Sequence, residues 1–150
     1  LALKQISLSI ASGEKVVLCG PSGSGKSSLI MAILRMIDVR EGSISIDDTD
    51  ISAVSGRDLR MHLNIVPQDP FFLPGTLKCN IDPREQASDQ AIVEALDRVG
   101  LWGKFKTQGL DAELDTTALS HGERQLLCLA RAMLVPSKIL ITDEATSRYG

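Results

Sequence analysis

The residues best placed to do chemistry form one run: Gly20, Pro21, Ser22, Gly23, Ser24, Gly25, Lys26, Ser27 and Ser28. They fit the spacing G-x-x-x-x-G-K-[ST] of a phosphate-binding loop. Glycines let such a loop curl, so that successive backbone N–H groups converge on phosphate oxygens. Lys26 is a point charge for the β- and γ-phosphates, and the Ser27 hydroxyl is a ligand for Mg²⁺. Two other places carry polar groups of the right kind. The apolar run Lys138-Ile-Leu-Ile-Thr142 ends in the adjacent carboxylates Asp143 and Glu144. Ser120, followed three residues later by Glu123, is a capping box. A helix start with free N–H groups, a glycine and a serine hydroxyl also suits an anion.

These groups need elements to hold them. Glu14 to Cys19 reads as a strand with a buried apolar end, and Ser27 to Ile37 as an apolar helix. Strand, glycine-rich loop and helix dipole together make the anion cradle. Alternation of Ile6, Leu8 and Ile10 predicts a half-buried strand, and Ser43 to Asp47 another. Leu63 to Val66 is a further strand. Ser88 caps a helix carrying Ile92, Val93, Leu96 and Val99, with Gly100 as its stop. Trp102 packs against that region. Ser120 caps a helix that runs to about Leu134, beyond which Pro136 prevents continuation. Strand 138–142 is expected to lie parallel to strand 15–19. Carboxylates and phosphate loop then meet at one edge, where open α/β sheets place ligands.

The stretch Leu119-Ser120-His121-Gly122-Glu123-Arg124-Gln125 resembles the LSGGQ signature of ATP-binding cassette (ABC) proteins. Lys138 to Glu144 resembles their Walker B strand, and Ile65-Val-Pro-Gln68-Asp-Pro70 their Q-loop. The resemblance implies ATP and Mg²⁺ as ligands. It gives Asp143 and Gln68, with Ser27, to the metal, and Glu144 the role of general base toward the attacking water. It also implies that Ser120, His121, Gly122 and Glu123 serve a nucleotide held by a second cassette. More narrowly, Asn64 to Thr76 and Asn80-Ile-Asp-Pro83 are similar to the C-terminal cassette of multidrug-resistance-associated (subfamily C) transporters, fungal in type. There the signature faces a hydrolytically weak site while the Walker residues build the competent one. Two departures stand out: His121 replaces a Gly and Glu123 a Gln. Glu123 brings a carboxylate near a partner's γ-phosphate, where like charges repel, and His121 offsets it only when protonated.

Composition bounds the remainder. At 150 residues with a net charge of −3, the chain is one domain with acids and bases mixed along it. That excludes a nucleic-acid-binding surface as a main function. Cys19, Cys79 and Cys128 lack metal spacing; Cys19 and Cys128 sit in apolar runs and are expected to be reduced core residues. No apolar run reaches the length of a membrane span. The expected fold is α/β: a P-loop core with a parallel sheet, a small antiparallel β part and a helical subdomain. Residues 1–77 and 119–150 make the core, and about 78–118 the helical subdomain. The implied setting is the cytoplasmic face of a plasma or vacuolar membrane, reached only through transmembrane domains outside this sequence.

Against the resemblance, Ala145-Thr146-Ser147 begins a D-loop that Arg148-Tyr149-Gly150 does not continue. The switch histidine and adenine-stacking aromatic of the family are missing too. The expectation is therefore a truncated cassette, binding ATP weakly by itself. Two functions stay open: the ATPase module of an efflux transporter, or a non-hydrolytic nucleotide-binding remnant of one. Chromosome and DNA-repair ATPases are disfavoured because no sustained heptads occur.

Overall fold

The computed structural model describes residues 3–143. The chain divides into two compact units, residues 1–61 and 62–150. In the first, helix α1 spans Lys26–Ile33 and begins at Gly25, whose φ of 98° is left-handed. A hairpin follows, with β1 (Ser45–Ile46) antiparallel to β2 (Thr49–Asp50). Asp47 and Asp48 both have positive φ, 48° and 62°, the geometry of a two-residue hairpin turn whose twist matches that of the strands. A 3₁₀ turn at Ile51–Ala53 is capped by the Asp50 carboxylate, which accepts from the Ser52 N–H at 2.7 Å. Helix α2 is Gly56–His62.

Five expectations fail in this unit. Neither Glu14 to Cys19 nor the Ile6, Leu8, Ile10 segment is a strand. An extended segment becomes a strand only through a ladder with a neighbour, and among the described residues neither has one. Val17 is accordingly 81% exposed. Cys19 is exposed as well, not a core residue, whereas Cys128 is buried as expected. Helix α1 stops at Ile33 rather than Ile37, because Arg35 turns to φ 51°. The strand expected over Ser43 to Asp47 shortens to Ser45–Ile46, since Asp47 is needed for the turn.

The second unit holds a parallel ladder and a helical cluster. Strand β3 (Leu63–Val66) pairs in parallel with β4 (Ile139–Thr142), in the register Leu63↔Ile139 to Val66↔Thr142. So β4 exists as expected, and its ladder partner among the described residues is β3. Helices α3 (Leu77–Ile81), α4 (Asp89–Arg98) and α5 (Trp102–Phe105) follow β3, and α6 (His121–Leu134) precedes β4. Their core is built by Leu77, Ile81, Ile92, Leu96, Phe105 and Leu127, with Trp102 packed against it as expected.

Local chemistry sets the ends of α4. The Ser88 hydroxyl accepts from the Ala91 N–H at 3.2 Å. At the other end, Leu101 N–H donates to Leu96 and Gly100 N–H to Asp97, both at 2.9 Å. That pair of bonds, around Gly100 at φ 74°, is a Schellman stop with its companion apolar contact between Leu96 and Leu101. Among the described residues, no helix is long and apolar enough to cross a membrane.

Candidate functional site

The phosphate loop begins from its glycines. Gly23 and Gly25 stand at φ 79° and 98°, a region side-chain-bearing residues rarely adopt. Gly20 is needed for space: a Cβ there would lie 2.7 Å from Ser24 Oγ. The Ser24 N–H closes the turn on the Pro21 carbonyl at 3.2 Å. Lys26 Nζ donates back to the Gly20 and Pro21 carbonyls at 2.7 and 3.1 Å, so its ammonium is carried over the loop. Gly20 to Ser24 and Ser27 are exposed, while Gly25, Lys26 and Ser28 are half-buried. A curled loop with an exposed hydroxyl and a lysine folded over it fits a nucleotide triphosphate.

The second unit gathers the other candidates. Val66 and Thr142 are the last register pair of the parallel ladder, and the Asp143 N–H donates to the Val66 carbonyl at 3.1 Å. Gln68 and Asp143 therefore leave the same carboxyl edge of β3 and β4. Ser27 in the first unit, and Asp143 and Gln68 in the second, each carry oxygen donors of the hard kind that Mg²⁺ takes. No cluster of three or more His, Cys, Asp or Glu fit for a metal occurs among the described residues; Mg²⁺ is commonly held by one or two carboxylates plus substrate phosphates. Glu144 lies outside the described residues, as do residues 145–150.

The capping box of α6 is closed in both directions. Ser120 Oγ accepts from the Glu123 N–H at 3.2 Å, and Glu123 Oε2 accepts from the Ser120 N–H at 2.8 Å. Ser120 is exposed, and His121, Gly122 and Glu123 are half-buried. Further along the helix, Gln125 Nε2 donates to the Gln68 carbonyl at 3.5 Å. The structure thus ties the signature helix to the loop that carries Gln68.

Three residues in this region make contacts that the sequence does not announce. Arg131 Nε donates to the Asn80 carbonyl at 2.7 Å and its Nη1 to Phe71 at 3.2 Å, with the guanidinium 5.3 Å from the Phe72 ring centre. Buried Asn80 bonds both ways with Leu73, at 2.9 Å each. Together they fasten the segment after Gln68 to α6. Lys104, on α5, pairs with Glu123 Oε1 at 2.7 Å and donates to the Ala118 carbonyl at 3.2 Å. The contacts of Arg131 and Lys104 span 14 to 60 positions of sequence, beyond the reach of any local pattern.

Lys104, then the Ser120 backbone and hydroxyl, hold the Glu123 carboxyl down to about 2 from its ordinary 4.5. Because the folded value is depressed, the contribution of this carboxylate to the helix start is complete above about 4.5 and is lost as pH falls toward about 2. A carbon-13 titration of the Glu123 carboxyl is expected to show a midpoint near 2. A midpoint near 4.5 would contradict the closed arrangement.

A family described as ABC transporter matches residues 3–147. Among curated relatives, the chain is 49% identical over 146 residues to "ABC transporter ecdL" of Aspergillus rugulosus, covering 97% of this chain and 10% of that one. It is 49% identical over 152 residues to "Metal resistance protein YCF1" of Saccharomyces cerevisiae, covering 98% and 10%. It is 42% identical over 153 residues to "ABC transporter C family member 13" of Oryza sativa subsp. indica, again 98% and 10%. The chain spans about a tenth of the length of these relatives.

Proposed function

This chain belongs to the ABC transporter family as a nucleotide-binding domain, and on that premise we propose that it binds and hydrolyses ATP to drive an efflux transporter. Gly20 to Ser28 hold the triphosphate, with Lys26 on its β- and γ-phosphates. Ser27, Gln68 and Asp143 hold Mg²⁺, which neutralises charge developing on the phosphoryl oxygens. Glu144 takes the proton of the attacking water. Residues 78–118 act as the helical subdomain. Ser120, His121, Gly122 and Glu123 meet the nucleotide of a second cassette, and the transmembrane domains of the same transporter carry the cargo. Names among the relatives, such as "ABC multidrug transporter B" and "Metal resistance protein YCF1", agree with an export role, and the proposed setting is the cytoplasmic face of a plasma or vacuolar membrane.

One observation carries this reading. The ladder register brings Gln68 and Asp143 to one edge, and the helix begun by the signature bonds to Gln68 through Gln125. A metal-side residue and a partner-facing motif are thereby mechanically connected, as an ATP-driven closure requires. ATP then favours closure because it satisfies both faces, shifting a two-state equilibrium. The test is cassette closure in the full-length protein containing this chain, read as the distance between spin labels on the two cassettes. Mg²⁺–ATP is expected to shorten it and Mg²⁺–ADP to leave it open. Equal distances in both nucleotides would refute the proposal.

A further inference from the structure

The start of α6 presents an acid where phosphate oxygens are to approach, and the structure pairs that acid with a base from another helix. The two oxygens of Glu123 are used separately. Oε2 closes the capping box on the Ser120 N–H at 2.8 Å, while Oε1 receives Lys104 Nζ at 2.7 Å. The same ammonium donates to the Ala118 carbonyl at 3.2 Å, just before the signature. The Lys104 and Glu123 side chains keep 40% and 28% of their surface exposed. Pairs so exposed contribute little to stability, so fold maintenance does not account for this arrangement. Local charge does, because repulsion between a carboxylate and phosphate oxygens is cancelled by a cation at contact distance.

We propose that Lys104 is a positioning residue of the signature: it neutralises Glu123 and braces Ala118, so that Ser120 and Gly122 can accept the terminal phosphate of a nucleotide held by a partner cassette. The proposal rests on the reading of Ser120 to Glu123 as partner-facing. It also makes the Gly-to-His and Gln-to-Glu departures of this signature workable: the added acid comes with its own counter-charge. The depressed titration of Glu123, caused first by Lys104, agrees with the geometry.

The test uses the full-length protein and measures ATP affinity at the signature-facing site for four forms. Lys104→Met is expected to weaken ATP about fivefold, the upper range for an exposed charge. Lys104→Arg is expected to retain wild-type affinity, and Glu123→Gln to tighten it. The double variant Lys104→Met with Glu123→Gln is expected to return to within about twofold of wild type, because the acid that needed cancelling is gone. If the double variant stays as weak as Lys104→Met, the lysine does not act by neutralising Glu123 and the proposal is overturned. Unchanged affinity in Lys104→Met also overturns it. A wild-type protein with no ATP at that site refutes the partner-facing reading itself, and that result is separate from the other two.

Discussion

Lys26→Ala is expected to abolish ATP binding at this chain's own phosphate loop, by about a thousandfold in affinity. A unit charge about 4 Å from a phosphate in a surface cleft contributes an attraction of this order. Several bonds show why no neighbour replaces it. Lys26 Nζ is carried over the loop by the Gly20 and Pro21 carbonyls, so the cation is aimed where phosphates would lie. The loop keeps the positive φ of Gly23 and Gly25 and the Ser24 N–H bond to the Pro21 carbonyl, which involve the backbone alone. The variant is therefore expected to keep its circular dichroism spectrum while losing the fluorescence response to a labelled ATP. Retained affinity would mean that the loop is a glycine-rich turn without a phosphate role.

The second large effect separates binding from chemistry. Glu144→Gln is expected to slow hydrolysis by about 10²- to 10⁴-fold, the range for removing a general base, with ATP affinity kept. Glutamine preserves the shape and hydrogen-bonding reach of the side chain but cannot take a proton. Its neighbour Asp143, whose N–H is fixed to Val66, continues to offer its carboxylate to Mg²⁺. The full-length protein should then accumulate in an ATP-bound, closed state. Phosphate release in a single turnover, measured beside ATP binding in the same sample, checks this. Loss of binding together with turnover would assign Glu144 to ligand retention instead.

What could be read from the sequence follows the range of the forces involved. The α6 start was legible because Ser120 and Glu123 bond to each other across three residues. Ser88 and Gly100 announced α4 in the same way, and the phosphate loop was legible through glycines that its φ angles demand. Strands were harder. Ile139–Thr142 is apolar enough to be recognised, yet its pairing with Leu63–Val66 depends on residues more than seventy positions away. Glu14 to Cys19 has the composition of a strand and no ladder among the described residues. Arg35 ends α1 through its own backbone angle, which no motif around it specifies. Lys104 was invisible because nothing in the sequence says that α5 lies beside the signature. Lys104 gives Glu123 a cation at 2.7 Å that the sequence did not announce.

On the proposed function, this chain holds one nucleotide on its phosphate loop and offers its signature to another. The most direct test arrests the full-length protein with Glu144→Gln and loads it with ATP carrying a photoreactive group on the γ-phosphate. Cross-linked peptides are then sequenced by mass spectrometry. The two-site arrangement is expected to give two sets of adducts within these residues: one in Gly20 to Ser28, and one at Ser120 to Gly122 that disappears when the phosphate loop of the partner cassette is disabled. Adducts confined to the phosphate loop, or signature adducts that survive that disabling, would contradict it.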